Sequence, residues 1–287
     1  MTSDRPSPTH GPQVSAERRR ATEEELRGWL ELATACADQA DAMAMAGFRR
    51  DLHVETKPDR TLVTEIDRSI EERIRGAIRE RHPDHGLVGE EYGTEAEGAS
   101  VRWYIDPIDG THNFVRGIPL FGLLLAVERD GELQLGLMSA PALRERWYAW
   151  RGGGAWAIGS AGTDASRPRR LWVSSISQIG DSQVLYGSAA EVEESGLAPG
   201  LPRLIRSAWR DRGFGDFWGY ALVAEGAAEA MVEVGVQSWD LAAPLVIVEE
   251  AGGALTDLAG ERSIVNRSVL ASNGRLHDEL LGILSTP

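Results

Sequence analysis

Two residue types are almost missing from this chain: it has one cysteine, Cys36, and one lysine, Lys57, among 30 Lys and Arg residues. A lone cysteine excludes an intrachain disulfide and makes the cytoplasm the natural compartment. No apolar run approaches the length of about 18 residues that a membrane span requires. The N-terminal residues lack the apolar core of a signal peptide. Positive charge is also short, with 44 Asp and Glu giving a formal net charge of −14. That balance argues against a nucleic-acid backbone or an anionic membrane as partner. A phosphorylated small molecule stays open, because bound cations reverse the field inside one pocket. Keeping lysine once, where arginine serves everywhere else, points to a place that needs a compact ammonium.

What is present reads as helices layered on sheets. Residues 1–21, rich in Pro, Ser, Thr and Arg, are predicted to be a disordered leader. Leu26, Leu30, Ala33, Ala37, Ala40 and Ala44 recur at helical spacing behind an acidic first turn. Ile66, Ile70, Ile74 and Ile78 make a second helical stripe, predicted over 61–80. A strand over 102–106 precedes two strand pairs, 121–128 with 132–138 and 146–150 with 155–158, joined by Gly-containing turns. The Gly-, Ser- and Arg-rich stretch 159–170 marks the expected boundary between halves 22–160 and 161–287. Beyond it the pattern predicts a strand at 171–173, a helix, a strand, a helix over 217–229 and a strand over 230–234. A helix from near Asp240 to Gly252-Gly253 follows, then strands at 254–257 and 268–272. Pro244 is tolerable in that helix only near its first turn.

The most informative stretch is Asp106-Pro107-Ile108-Asp109-Gly110-Thr111. It follows an apolar strand that Pro107 should end, since proline donates no ladder hydrogen bond. The turn can then aim the Asp106 and Asp109 carboxylates and the Ile108 carbonyl at one spot. Hard divalent cations favour such all-oxygen nests. Gly110 and Thr111 add backbone N–H groups suited to an anion. Two more acidic spots could complete the nest: Glu90-Glu91 just before the strand, and Asp240 far along the chain. Taken alone, paired glutamates are usually a solvated loop and a helix-start Asp is usually a cap. Asp67, fourth in Thr64-Glu65-Ile66-Asp67, is on spacing alone an ordinary capping box.

Lys57-Pro58, Thr64 with Asp67, Glu90-Glu91, the 106–111 motif with Asn113-Phe114, and Trp239-Asp240-Leu241-Ala242-Ala243 occur in an order that resembles the inositol monophosphatase-like Mg²⁺-dependent phosphatases. The resemblance runs from about Thr22 to the end. Asn113-Phe114-Val115-Arg116-Gly117, Ser139-Ala140-Pro141-Ala142-Leu143, Arg151-Gly152-Gly153-Gly154-Ala155 and Gly215-Asp216-Phe217 are most similar to its bacterial histidinol-phosphatase branch. The resemblance implies an α+β fold, a layered α-β-α-β-α sandwich, in a homodimer. It implies that Glu90, Asp106 and the Ile108 carbonyl hold one Mg²⁺. Asp106, Asp109 and Asp240 would hold a second; a third, looser ion near Glu90 and Asp67 is within the family's range, and Mn²⁺ is an acceptable substitute. Gly110 and Thr111 would bind phosphate through their amides. Asp67, Thr111 and Glu90 would orient and deprotonate the attacking water, with Lys57 steadying the acidic group.

General chemistry agrees with that assignment. Two cations about 3.5–4 Å apart stabilise both the entering and leaving oxygens of an in-line displacement. Phosphoryl transfer needs positioning and charge neutralisation and no nucleophilic side chain. Substrate choice falls to the second half, through Asp216 and Glu233. Glu233 stands seven residues before Asp240, the offset at which inositol monophosphatases place a glutamate that reads hydroxyl groups. Histidinol phosphate carries an ammonium and an imidazole, so a carboxylate such as Asp216 opposite the phosphate is its complement. As a bare residue, Asp216 reads equally well as a loop or cap position. The expected activity is therefore hydrolysis of L-histidinol phosphate. The alternatives are an inositol, sugar or nucleotide phosphatase, and more remotely a non-catalytic binder of metal and phosphate.

Overall fold

The computed structural model describes residues 20–50, 53–57, 61–159 and 167–286. The expected leader lies almost wholly outside that range, as does most of the 159–170 stretch. Thr22 opens helix α1 (Glu23–Gly47) through a reciprocal capping box with Glu25, so the acidic first turn serves the helix dipole as expected. Strands β1 (Val54–Thr56) and β2 (Leu62–Thr64) pair as a small antiparallel hairpin with Lys57 just after β1. Helix α2 (Glu65–Arg81) thus begins later than the predicted residue 61. Its first expected residues belong to β2, and Thr64 stops the strand by turning its hydroxyl to the Ile66 and Asp67 amides.

The chain continues through β3 (Gly86–Gly89), β4 (Gly93–Glu95), β5 (Val101–Asp109), the short helix α3 (Thr111–Val115), β6 (Gly122–Arg129), β7 (Glu132–Ala140), β8 (Glu145–Trp150), β9 (Gly154–Gly159) and β10 (Arg169–Arg170). These strands form one eight-stranded sheet in the order β10-β9-β8-β7-β6-β5-β3-β4. Both predicted hairpins are present. Helices cover both faces, which is why β5, β6 and β7 read as nearly continuous apolar runs. Trp103, Ile105, Leu123, Leu125, Leu135 and Leu137 point to one core, while Tyr104, Leu124, Ala126 and Met138 point to another.

A second, five-stranded sheet is built from β11 (Gln183–Tyr186), β12 (Arg210–Arg212), β13 (Ala230–Val234), β14 (Ala254–Thr256) and β15 (Ser268–Ser272), ordered β12-β11-β13-β15-β14. Between its strands lie α4 (Ala189–Ser195), α5 (Leu201–Ser207), α6 (Asp216–Ala224) and α7 (Ser238–Glu250), with α8 (His277–Leu284) at the end. One core joins α1 and α2 to the large sheet, and another joins α5 and α8 to the small one. The largest core packs α6 and α7 between the two sheets. The result is a five-layer α-β-α-β-α sandwich.

Several local expectations are corrected. Residues 171–173 are not a strand; the Leu171 and Val173 amides reach Ala155 and Ala251, so this stretch is an extended strap between layers. Between this strap and β11 lies no α-helix, only a 3₁₀ turn at Ile179–Asp181. The helix predicted over 217–229 stops at Ala224. The late helix starts at Ser238, so Pro244 is its seventh residue and lies in its interior. Proline there forgoes the hydrogen bond to the Asp240 carbonyl. The surrounding turns, buried from Leu241 to Val248, hold the helix by packing.

Candidate active site

The site grows from an irregularity in β5. The strand does not stop at Pro107 as expected; it continues to Asp109 with its register against β6 shifted between Asp106 and Asp109. Pro107 and Ile108 together oppose one residue of β6, a bulge that absorbs the missing donor and re-aims the flanking side chains. Asp106 is 1% exposed, and its Oδ1 accepts the Ile108 amide at 3.1 Å. Gly110 then turns the chain at φ +78°. A Cβ there would also stand 2.9 Å from the Leu120 carbonyl, so only glycine fits.

Asp240 arrives from the first turn of α7, where its Oδ2 accepts the Gln237 amide at 2.7 Å. Asp106, Asp109 and Asp240 each offer an oxygen within 4.8 Å of the others. Glu90, at the end of β3, lies against Asp106. Burial and mutual repulsion push every one of these carboxyls toward its protonated form. Asp106 and Asp109 rise well above the ordinary carboxylate range, and Asp240 rises to about 7. Buried like charges persist at such range only when protons or a cation neutralise them. A donor set made only of oxygen, with room for water and phosphate, fits a hard divalent cation.

On one flank, Lys57 Nζ binds Glu90 at 2.7 Å and Glu91 at 2.6 Å. The single lysine thus bridges two carboxylates as a compact charge. Asp67 is fully buried, and burial lifts its carboxyl to about 6 against the pull of its Thr64 hydrogen bonds. Its Oδ2 accepts the Thr64 amide at 2.9 Å and hydroxyl at 2.5 Å. The Thr111 hydroxyl lies 3.3 Å from Asp67 Oδ1 and 2.9 Å from the Ile108 carbonyl, so its single proton serves one of them at a time.

On the other flank a cleft of about 170 Å³ opens between Asp109, Asp240, Tyr220, Glu233, Asp216 and Glu191. The start of α6 docks here: the Phe217 amide donates to Asp109 Oδ2 at 2.5 Å. Asp216 takes the left-handed conformation, φ +52°. Its amide donates to Glu233 at 3.3 Å, and its carboxylate accepts Asn113 Nδ2 at 3.0 Å. Tyr220 donates its hydroxyl to Glu233 at 2.6 Å. Burial, reinforced by neighbouring carboxylates, lifts Asp216 to about 6 and Glu233 to about 8.

The candidate site residues Lys57, Asp67, Glu90, Asp106, Ile108, Asp109, Gly110, Thr111, Asp216, Glu233 and Asp240 therefore stand in or beside one acidic cleft. Sequence reasoning passed over Glu191, Tyr220 and the buried pair Glu71–Arg75. The last had a signal in its i, i+4 spacing beside Asp67; Glu191 sits on a short helix with nothing to distinguish it from a solvated glutamate.

Comparison with known proteins follows the same lines. The model of the inositol monophosphatase family matches residues 25–286. The histidinol-phosphatase of Streptomyces coelicolor is 45% identical over 261 residues, 89% of this chain and 96% of that protein. The histidinol-phosphatase of Mycobacterium tuberculosis is 43% identical over 253 residues, 88% of this chain and 96% of that one. Among solved structures, a Thermotoga maritima IMPase superposes with a TM-score of 0.79 at 32% identity, covering 90% of this chain and 96% of its own. With the family model spanning nearly the whole described chain, this protein belongs to the inositol monophosphatase family.

Proposed function

We propose that this protein is a Mg²⁺-dependent phosphomonoesterase that hydrolyses L-histidinol phosphate to L-histidinol and phosphate. One observation carries the reading: the cleft has two acidic walls. Asp106, Asp109 and Asp240 crowd around one point with Glu90 against Asp106, while Asp216, Glu233 and Glu191 line the space beyond it. A phosphate ester with a cationic tail needs this division, because cations must offset its phosphate while carboxylates meet its ammonium and imidazole. The likeness to two histidinol-phosphatases across most of the chain supports the same substrate.

In this reading Glu90, Asp106 and the Ile108 carbonyl would hold one cation, and Asp106, Asp109 and Asp240 would hold the other. Bound there, Mg²⁺ would supply charge for the transferring phosphoryl group and its entering and leaving oxygens. The Gly110 and Thr111 amides orient the phosphate. The Thr111 hydroxyl, fixed between Ile108 and Asp67, accepts a hydrogen bond from the attacking water and aims it. Glu90 takes the water's proton while Asp67, accepting the Thr111 hydroxyl proton, keeps the Thr111 oxygen turned toward that water; a proton returned to the departing alkoxide oxygen completes histidinol. Lys57 keeps Glu90 in place and limits the charge of the Glu90–Glu91 pair. Asp216 and Glu233 bind the polar end of the alcohol.

Glu233 and the family frame also favour a second reading, an inositol phosphate as substrate. Phosphate release from L-histidinol phosphate, inositol 1-phosphate and fructose 1,6-bisphosphate, each with Mg²⁺ and with EDTA, separates the two. We expect Mg²⁺-dependent turnover with the highest kcat/KM on histidinol phosphate. A much higher kcat/KM on inositol phosphate contradicts the substrate, and no turnover of any ester contradicts the enzyme.

A further inference from the structure

Behind the Glu90–Glu91 turn lies a buried ion pair that the proposed reaction does not use. Glu71 and Arg75, one turn apart on α2, are 0% and 2% exposed. Glu71 Oε1 accepts Arg75 Nε at 2.7 Å and the Tyr92 amide at 3.2 Å, and its Oε2 accepts the Glu91 amide at 2.7 Å. Arg75 gives its other donors to Glu95, at 3.0 Å, and to the Gly93 carbonyl. One helix side chain thus gathers the two backbone amides that immediately follow Glu90. Burying an ion pair is costly, and a well-packed apolar pair of similar volume often stabilises a core as much or more. What the carboxylate adds is a fixed geometry for the turn.

Gly89 completes this arrangement. A Cβ at that position would fall 2.0 Å from Glu71 Oε1 and 2.9 Å from Arg75 Nη2, so glycine is what lets the carboxylate reach the turn. The Glu90 amide is tied to the Ile105 carbonyl of β5 at 3.2 Å. The turn is therefore clamped between a strand on one side and a helix on the other. Asp67 lies one helical turn before Glu71, on the same face of α2. The same rigid helix locates Asp67 directly and Glu90 at one remove.

We propose that Glu71, with Arg75 and Gly89 in support, is a positioning residue for Glu90. It sets the separation between the Glu90 carboxylate and the Asp67–Thr111 pair, and through that separation the affinity for the cation at Glu90 and the rate of the reaction. This rests on the assignment of Glu90 as a cation ligand, and the test separates the two ideas.

Mn²⁺ binding to the full chain, followed by the electron paramagnetic resonance of free Mn²⁺, is measured beside phosphate release. The proteins are wild type, Glu71→Gln, Glu90→Gln, their double variant and Gly89→Ala. Gln keeps the shape of Glu71 but turns an amide NH₂ toward backbone N–H groups. Gly89→Ala keeps every charge and displaces the Glu71 carboxylate. Outer partners of metal ligands typically change affinity by about 10- to 100-fold. The expected result is a loss of that size at the Mn²⁺ site weakened by Glu90→Gln, with kcat reduced and KM nearly unchanged, in both Glu71→Gln and Gly89→Ala. Glu71→Gln should add little once Glu90 is already Gln, as for residues acting through one another. Should Glu71→Gln fail to fold, Gly89→Ala carries the test. Wild-type Mn²⁺ affinity in a folded Glu71→Gln or Gly89→Ala protein, or full additivity with Glu90→Gln, overturns the proposal. Unchanged Mn²⁺ affinity in Glu90→Gln overturns the ligand assignment instead.

Discussion

Asp67 reaches the Thr111 hydroxyl, 3.3 Å away, with the oxygen its own helix leaves free. The other oxygen is committed to the cap, taking both the amide and the hydroxyl of Thr64. One carboxylate thus starts α2 and ties it to the β5 turn, so the ordinary capping role of Thr64-x-x-Asp67 leaves one oxygen for the role proposed above. Asp67→Asn retains an acceptor for the cap. Under the proposed mechanism, kcat should fall by about 10²-fold or more, the size of a general-base contribution, with KM and Mn²⁺ affinity nearly unchanged. Steady-state kinetics beside a thermal melt check this, and a fall in melting temperature that tracks the loss of activity would mean a cap and nothing more.

Asp109→Asn removes one of three mutually repelling carboxylates while leaving an oxygen for the Phe217 amide. Mg²⁺-dependent phosphate release should drop by about 10³-fold or more, given that a metal contributes several kcal/mol of transition-state stabilisation. The same change should raise the melting temperature in EDTA, because buried repulsion is relieved. A variant that is active, or less stable than wild type in EDTA, contradicts this account of the trio.

Selectivity should divide along charge. Asp216→Asn keeps the side-chain shape and removes one negative charge from the part of the cleft proposed to take the alcohol. We expect KM for histidinol phosphate to rise by at least about tenfold, the lower range for loss of one partner in a buried charge pair. Inositol 1-phosphate, which has no cationic tail, should change far less. Equal effects on both esters would remove Asp216 from substrate recognition.

Acid sensitivity should come in part from His85. Its Nδ1 accepts the Trp103 indole N–H at 3.0 Å, and burial, with the nearby His82, holds its pKa down at about 4. The unfolded chain, with an ordinary histidine pKa near 6.5, binds the extra proton between those values. Stability should therefore be lost as pH falls from about 6.5 toward 4. Urea midpoints at pH 7 and pH 5 check this: the drop should be smaller in His85→Asn than in wild type. Identical drops would acquit His85.

Patterning revealed the layers but not their seams. Ile66, Ile70, Ile74 and Ile78 located α2 because its burial is one-sided. The Arg129-Asp130-Gly131 turn between two apolar stretches located β6 and β7, which pair as the expected hairpin. Residues 171–173 misled because a short Leu-Trp-Val strap looks like a strand when its partners are unknown, although only Leu171 is buried. The bulge at Pro107 was hidden because proline in a strand usually marks an end, and only pairing with β6 shows the strand continuing. At the site, residues in compact motifs were legible. Glu71 and Arg75 were not, since an i, i+4 Glu–Arg pair looks like a surface pair until burial is known. Glu191 depended wholly on the approach of a distant helix.

The most direct test is a crystal soaked in Mn²⁺ and read by anomalous scattering. Two strong peaks are predicted, one bounded by Asp106, Asp109 and Asp240 and one by Glu90, Asp106 and the Ile108 carbonyl. A map with no peak within coordination distance of Asp240, at Mn²⁺ concentrations that support phosphate release, would contradict the central claim.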